Sequence, residues 1–277
     1  MRTLVPFGLL VVFSLGGCPS EPPPVAREVA SGPTSPSTKS LHAPGPPSAP
    51  VLLHLDSDAG TPETPNGPAP SANSSAAAPV PPRPCRVAAL GDSLTDYRSG
   101  GGGYLRVLEQ RCPESEFVNF GKGGDMVNQM RRRFEAELAN APAARFTHLI
   151  VFGGVNDLYS DETAGRSNAK IERDLSAIYQ RAHSHGWRVV AVTVAPWGGF
   201  TRYFTPKRGA ATADLNAWIA AGPADAVVDA HSLLSCGDAE RLCPAFAAPF
   251  KDGLHFGKKG HEILGEALYR AEFARCR

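Results

Sequence analysis

Residues 86–95 read RVAALGDSLT, an apolar run that ends in a glycine and a polar turn. Residues 86–90 predict a buried strand, because no polar residue interrupts the run after Arg86. Short apolar runs alternate with amphipathic stretches through the chain that follows, which is typical of β-α-β units around a parallel sheet. We therefore expect an α/β fold, a three-layer α/β/α domain with a flavodoxin-like, five-stranded parallel sheet.

The predicted elements occupy residues 85–277 as one domain without an internal repeat. The expected strands are residues 86–90, 117–120, 147–152, 188–195 and 226–230. The expected helices are residues 104–111, 126–138, 169–183, 214–220 and 258–275.

Three consecutive arginines at 131–133 suggest a phosphate site, but apolar residues recur around them at helical spacing and favour a solvated helix face.

Three strands end in turns that could carry chemistry. Ser93 follows the first strand, where a nucleophile would be exposed and rigidly held, although Gly-Asp-Ser is also a common turn composition. The second strand runs into the glycine-rich residues 119–125, whose backbone N–H groups could face an anion at a helix start. Asn156 follows the third strand as a hydrogen-bond donor or a helix cap. Because ligands bind outside the carboxyl ends of parallel strands, these segments are expected to meet.

An Asp and a His stand just before the last helix, in the order Asp252-Gly253-Leu254-His255. Residues three apart on one turn face the same way, so the Asp252 carboxylate can hold one imidazole nitrogen of His255 while the other faces outward. A general base is oriented in this way in a Ser-His-Asp system. His231 and His261 are competing bases, but neither has a carboxylate placed so well by the sequence.

In this order the four segments resemble the characteristic blocks of the SGNH, or GDSL, hydrolase family over residues 86–267. The resemblance implies that Ser93 is the nucleophile and that Asp252 and His255 complete its triad. It also implies an oxyanion hole built from the Ser93 N–H, Gly124 and Asn156. An ordinary α/β-hydrolase fits less well, because the residues after the serine are not the x-Gly of a nucleophile elbow.

One block departs from the family pattern. Gly123 stands where a Ser is common in the family, so a shifted alignment would give the oxyanion position to Gly121. Gly124 is favoured because it directly precedes Asp125, the polar residue at the start of the predicted helix.

The resemblance implies a serine ester hydrolase that forms an acyl-enzyme, and we expect short acyl esters, such as acetyl groups on a glycan, as substrates. Trp197, Phe200 and Tyr203 follow the fourth strand and could line an acyl pocket or stack on a sugar, or they could pack a long loop. Lysophospholipase or thioesterase activity is the alternative. An alternative of another class is an envelope lipoprotein that binds a glycan or a partner without turnover.

Cofactors, metals and nucleic acids are not expected. No G-x-G-x-x-G follows the first strand and no C-x-x-C occurs, which disfavours nucleotide and metal sites. A formal net charge of +1 argues against a nucleic-acid surface. We expect the protein to be a monomer.

The first 84 residues are expected to tether the domain. Residues 1–18 are typical of a bacterial lipoprotein signal, with Arg2, a short apolar run and a lipobox-like end at Cys18. An ordinary secretory signal with an incidental cysteine is the alternative. Residues 19–84 hold 18 of the 26 prolines and predict a disordered tether. These features predict a cell-envelope protein held on a membrane by lipidated Cys18.

Six cysteines fit an oxidising compartment, and lipidation of the first leaves five. Cys236 and Cys243 flank a short loop and are the best local disulfide candidate. Three others are expected at the sheet edge opposite the site, where two could pair: Cys85, Cys112 and Cys276.

Overall fold

A computed structural model of the chain describes residues 83–277. The predicted signal peptide, Cys18 and the predicted tether through residue 82 lie outside the described residues. Within residues 83–277, none of the helices combines the length with the apolar character that crossing a membrane requires.

Five strands form a central sheet in which every neighbouring pair is parallel. They are β1 (Arg86–Gly91), β2 (Glu116–Gly121), β3 (His148–Phe152), β4 (Arg188–Val192) and β5 (Ala226–Val228). Their spatial order is β2-β1-β3-β4-β5, which confirms the predicted fold class. β4 and β5 end earlier than predicted, because side-chain hydrogen bonds replace the backbone pairing between them after Val192 and Val228. Thr193 Oγ1 donates to Asp229 Oδ1 at 3.0 Å there.

Helices cover both faces of the sheet. One face carries α1 (Gly103–Arg111) and α8 (Lys258–Ala271); the other carries α2 (Val127–Arg133), α4 (Asn168–Ser184) and α5 (Pro206–Ala221). Alternate residues of each strand enter the two cores, as in β1, where Ala88 and Leu90 face the α2 side and Val87 and Ala89 the α1 side. This places the central strands β1, β3 and β4 between two apolar layers, while the edge strand β2 stays partly exposed.

Several short elements were not predicted. α2 continues as a π-helical turn over Phe134–Leu138, and single 3₁₀ turns occupy Tyr97–Ser99, Ala143–Arg145 and Phe273–Arg275. The remaining elements are α3 (Val155–Tyr159), α6 (Ala230–Leu234), α7 (Pro244–Ala247) and a hairpin of β6 (Ser235–Cys236) with β7 (Asp238–Leu242). They are too short to show a hydrophobic period in the sequence.

Two helices differ from the predicted bounds. α5 begins at Pro206 and not at residue 214, because Thr205 caps it by accepting the N–H of Arg208. Its first turns, residues 206–213, read PKRGAATA and contain no large apolar residue, so the sequence shows no hydrophobic period there. α8 ends at Ala271, and Glu272 leaves the helix to pair with Arg188, whose Nη2 lies 3.0 Å from Glu272 Oε2.

Two disulfides stabilise the domain. Cys236 pairs with Cys243, as predicted, and Cys85 pairs with Cys276 at the amino-terminal edge of the sheet. Cys112 is a buried free thiol whose Sγ lies 3.6 Å from the Phe273 carbonyl. The structure thus selects the pair that the sequence had left open.

Candidate active site

The first strand delivers Ser93 on a tight turn. The Asp92 carbonyl accepts the N–H groups of Thr95 (3.1 Å) and Asp96 (2.9 Å), and its side-chain Oδ1 accepts the N–H of Leu94 (2.9 Å). These bonds close an Asx turn around the serine. Ser93 is only 9% exposed, so its hydroxyl has one approach, from the cleft at the carboxyl edge of the sheet.

Ser93, His255 and Asp252 form one hydrogen-bonded chain. His255 Nε2 lies 2.9 Å from Ser93 Oγ, and His255 Nδ1 lies 2.7 Å from Asp252 Oδ2. The other Asp252 oxygen accepts the N–H groups of Leu254 and His255, each at 2.9 Å, which fixes the carboxylate. Burial opposes the charge of Asp252, but the hydrogen bonds from His255 and Leu254 hold its pKa below the usual value. The carboxylate is therefore ionised at neutral pH and can stabilise an imidazolium.

The two competing histidines lie elsewhere. His231 Nδ1 lies 3.1 Å from the Val194 carbonyl, and His261 packs between Tyr104 and Phe256 at the α1–α8 contact. Neither lines the cleft around Ser93, so His255 is the histidine within hydrogen-bonding reach of the serine.

The glycine-rich loop passes next to Ser93. Lys122 N–H donates to the Gly91 carbonyl (3.0 Å) and Gly123 N–H donates to Asp96 Oδ2 (3.1 Å). Gly124 has φ +80° and borders the cleft, and within residues 83–277 its N–H meets no hydrogen-bond acceptor. Gly121 N–H already donates to Asn119 Oδ1 (2.8 Å), so the alternative alignment has no free donor.

Asn156 is the second residue of α3, borders the same cleft and is 3% exposed. Its Nδ2 donates to the Asp125 carbonyl at 2.9 Å and to Asp92 Oδ2 at 3.3 Å. An oxyanion in the cleft would compete with these two oxygens for the amide hydrogens of Asn156. The contact to Asp92 is the longer and therefore the weaker of the two, so it is the one that an oxyanion would replace.

Buried carboxylates lie directly beneath the site. Asp125 is paired with Arg133 at 2.6 Å, and Asp157 with Arg166 at 2.6 Å. Asp92 has no cationic partner among residues 83–277. Burial raises its pKa to about 7, and the charges of Asp157 and Asp125 add to the rise. Within the same residues, no group of three or more His, Cys, Asp or Glu side chains is arranged to hold a metal ion.

The cleft has a volume of about 570 Å³ and is walled by aromatic rings. Tyr159 and Phe200 stand edge to face at 5.9 Å, and Phe250 lies 5.5 Å from the His255 ring. The complete lining is Ser93, Ser99, Gly123, Gly124, Asn156, Tyr159, Phe200, Phe250, Asp252, Leu254 and His255. Ser99, Tyr159 and Phe250 could not be predicted from the sequence, because no residue pattern sets them apart from ordinary turn and helix residues.

Of the three aromatic residues predicted to bind substrate, the structure brings one to the cleft. Phe200 is in the wall, and Tyr203 lies behind it with ring centroids 4.9 Å apart. The prediction for Trp197 is wrong: its side chain is fully buried, its Nε1 donates to Thr212 Oγ1 at 2.9 Å, and its ring packs edge to face on Phe204. It forms part of the core between the sheet and α5.

The chain is also similar to known proteins in sequence and in fold. Residues 89–263 match the model of the GDSL-like Lipase/Acylhydrolase family, which is more than half of the chain. No curated protein matches the sequence. A lipase/acylhydrolase from Enterococcus faecalis is a similar solved structure, with 20% identity, a TM-score of 0.54, and coverage of 67% of this chain and 94% of its own.

Two further solved structures share the fold. One is a member of the lipolytic protein G-D-S-L family from Veillonella parvula, with 17% identity, a TM-score of 0.54, and coverage of 68% of this chain and 98% of its own. The other is an acetyl xylan esterase, AlAXEase, with 17% identity, a TM-score of 0.51, and coverage of 67% and 98%. With the family model and the serine–histidine–aspartate chain, these findings identify the protein as an ester hydrolase that belongs to the GDSL-like lipase/acylhydrolase family.

Proposed function

We propose that the protein hydrolyses short acyl esters through an acyl-enzyme formed on Ser93. His255 Nε2 takes the Ser93 proton while Oγ bonds to the ester carbonyl carbon, and Asp252 stabilises the imidazolium. The tetrahedral oxyanion is met by the N–H groups of Ser93 and Gly124 and by the Asn156 amide. The intermediate then collapses, and the leaving alkoxide takes the proton from His255.

Water completes the cycle by the same route. His255 removes a proton from water, the resulting hydroxide attacks the acyl carbon, and the carboxylic acid leaves as Ser93 recovers its proton. The observation that carries this proposal is the unbroken chain of 2.9 Å and 2.7 Å contacts from Ser93 Oγ to the Asp252 carboxylate.

The substrate proposed is an acetyl or similarly short ester on a glycan. Tyr159, Phe200 and Phe250 surround the cleft, and aromatic rings of this kind can stack on a sugar ring. A long acyl chain needs a continuous apolar channel, since each buried methylene contributes about 0.8 kcal/mol, and only four of the eleven lining residues are large and apolar. The likeness to an acetyl xylan esterase fits this choice, although at 17% identity it bears on the fold alone.

Lysophospholipase or thioesterase activity is the alternative, and p-nitrophenyl esters of increasing acyl length test it. We expect kcat/KM to be highest for acetate and to fall as the chain lengthens, and we expect release of acetate from acetylated xylan. A rising kcat/KM up to C8 or beyond would support the lipid-directed alternative.

Labelling with a fluorophosphonate tests the nucleophile and the binding-only alternative together, because only an activated serine reacts. We expect Ser93→Ala to abolish labelling and to lower kcat by about 10⁴-fold or more. Ser184→Ala is the control, since its hydroxyl only donates to the Arg181 carbonyl at the end of α4. Full esterase activity in Ser93→Ala would refute the assignment.

A matched pair of histidines tests the base. His183 pairs with Asp225 at 2.9 Å on the surface, much as His255 pairs with Asp252. We expect His255→Ala to be nearly inactive and His183→Ala to keep wild-type kcat.

The same proposal places the protein in a bacterial cell envelope, held by lipid on Cys18, as a monomer. The support is the lipobox-like sequence at residues 15–18 and the proline-rich stretch after it. Metabolic labelling with a palmitate analogue should mark the wild-type chain and not Cys18→Ser. Light scattering of the Cys18→Ser chain should give the monomer mass, and a dimer mass would contradict that part.

A further inference from the structure

Asp96 links the serine turn to the glycine-rich loop. It lies three residues after Ser93 and is 6% exposed. Its Oδ2 accepts the N–H of Gly123 at 3.1 Å and the hydroxyl of Ser99 at 3.3 Å. Its Oδ1 accepts the backbone N–H and Nε–H of Arg98 at 3.0 and 3.1 Å. One carboxylate therefore bonds to both segments that border the cleft.

The backbone of Asp96 is fixed as firmly as its side chain. Its N–H donates to the Asp92 carbonyl at 2.9 Å, and its carbonyl accepts the N–H groups of Ser99 and Gly101, each at 3.0 Å. The carboxylate cannot move without the turn that carries Ser93. Burial opposes its charge, but the N–H donors of Arg98 and Gly123 hold its pKa below the usual value, so the hydrogen bonds to it are charge-assisted.

The bond to Gly123 orients the next peptide group. Gly123 N–H is held by Asp96, and Asp125 N–H donates to the Lys122 carbonyl at 3.2 Å. The Gly124 N–H lies between these two fixed groups, on the residue with φ +80° that borders the cleft. Fixing the neighbours on both sides leaves this N–H directed away from the loop's own acceptors.

Gly123 has no side chain, and side chains of the serine turn lie close to it. A Cβ on this residue would lie 2.6 Å from Ser99 Oγ, 3.6 Å from Asp96 Oδ2 and 3.8 Å from Ser93 Cβ. The space beside the loop is thus filled from the serine turn. The glycine-rich loop is therefore positioned by the serine turn, and its position relative to Ser93 depends on the Asp96 carboxylate.

We propose that Asp96 is a positioning residue for the reaction, which holds the Gly123–Gly124 peptide so that the Gly124 N–H meets the oxyanion formed at Ser93. Asp96 touches no reacting atom and acts through the loop. This inference rests on the oxyanion role proposed above for Gly124.

Two substitutions separate geometry from charge. Asp96→Asn keeps the side-chain length and an oxygen that can accept the Gly123 N–H, but it removes the charge and turns an NH₂ group toward the N–H groups of Arg98. Asp96→Glu keeps the charge and moves the carboxylate by one methylene. Arg98→Ala is the control, because the Arg98 side chain is largely exposed and donates to Asp96 Oδ1, whereas the Gly123 N–H donates to Oδ2.

We expect Asp96→Glu to lower kcat for p-nitrophenyl acetate by about 10- to 100-fold with KM changed by less than about twofold, since removing a whole oxyanion donor costs about 10² to 10³. Asp96→Asn should retain kcat within about fivefold of wild type, and Arg98→Ala should match wild type. Fluorophosphonate labelling of Ser93 should slow in the same order, because phosphonylation also places an oxyanion in the hole. The pH profile of kcat/KM should keep its shape.

The proposal is overturned if Asp96→Glu keeps wild-type kcat, or if Asp96→Asn loses more than Asp96→Glu, which would show that charge and not position matters. It is also overturned if Arg98→Ala loses as much as Asp96→Glu. Should Asp96→Glu fail to fold, Asp96→Ala against Asp96→Asn makes the same comparison, because alanine accepts no hydrogen bond. An active Ser93→Ala would defeat the proposed function instead, so the two failures are distinguishable.

Discussion

Replacing the buried Asp92 with Asn should change how the stability of the domain depends on pH. Asp92 is fully buried with no cation beside it among residues 83–277, and burial raises its pKa in the folded protein from 3.8 to about 7. The folded state therefore binds a proton that the unfolded chain has released above about pH 4. The stabilisation from this proton is present at low pH and is lost as the pH rises through 7.

The size of the effect follows from the two pKa values. Between pH 5 and pH 8 the wild-type protein should lose roughly 2–3 kcal/mol of unfolding free energy through Asp92 alone. Asp92→Asn cannot titrate, so its stability should lack this loss. The variant should also lose about 1–3 kcal/mol of unfolding free energy at every pH. Its NH₂ group must face either the Leu94 N–H or the Asn156 amide, so two hydrogen-bond donors would face each other without an acceptor.

Urea unfolding of both proteins at several pH values between 5 and 8 measures the difference directly. Titrating groups that do not interact with Asp92, such as the buried His148 and His261, contribute equally to both proteins and cancel in the difference. As the pH rises from 5 to 8, we expect the unfolding free energy of the variant to increase relative to that of the wild type by about 2–3 kcal/mol, or roughly 5–10 °C in Tm. Parallel stability curves would show that Asp92 is ionised throughout and would refute the reasoning.

Three further changes test the framework around the site. Gly101→Ala should lower the free energy of unfolding by about 1–3 kcal/mol and kcat by more than tenfold, because a Cβ there would overlap the Ser93 carbonyl oxygen. Thermal melting measures the first effect and ester hydrolysis the second. An unchanged kcat would show that the turn adjusts without displacing Ser93. Replacing Cys85 and Cys276 by Ser should cost up to about 5 kcal/mol in urea unfolding, since the bridge closes a loop of 191 residues, and an unchanged midpoint would contradict it. Arg166→Met should cost about 3–5 kcal/mol in urea unfolding, because it leaves the buried Asp157 carboxylate without its cation and leaves Asp174 paired with Arg131 at 3.4 Å. A change below about 1 kcal/mol would show that Asp157 finds another partner.

Much of the fold and the site could be predicted because the relevant signals are local in sequence. Buried parallel strands are continuous apolar runs, and the polar residues that follow them must meet at one edge of the sheet. Asp252 and His255 share a single turn, so their contact needs no knowledge of the rest of the chain. The long-range contact to Ser93 then follows from the order of the strands.

What could not be predicted depends on packing between distant segments. Trp197 and Phe200 are three residues apart in one loop, yet one is in the core and the other in the cleft wall, and only the position of α5 decides which. The choice of Cys276 over Cys112 as the partner of Cys85 rests on how the chain turns after α8. The role proposed for Asp96 depends on its hydrogen bond with Gly123, 27 residues further along the chain, and no sequence spacing predicts such a contact.

The bridge between Cys85 and Cys276 makes nearly the whole domain a covalent ring. A protease that cuts one surface loop anywhere inside this ring produces two fragments that stay attached through this disulfide, and the hydrogen bonds of the sheet hold them in register. Digestion should therefore appear on a gel only after reduction, and nicked molecules should keep hydrolysing ester for as long as the ring stays oxidised.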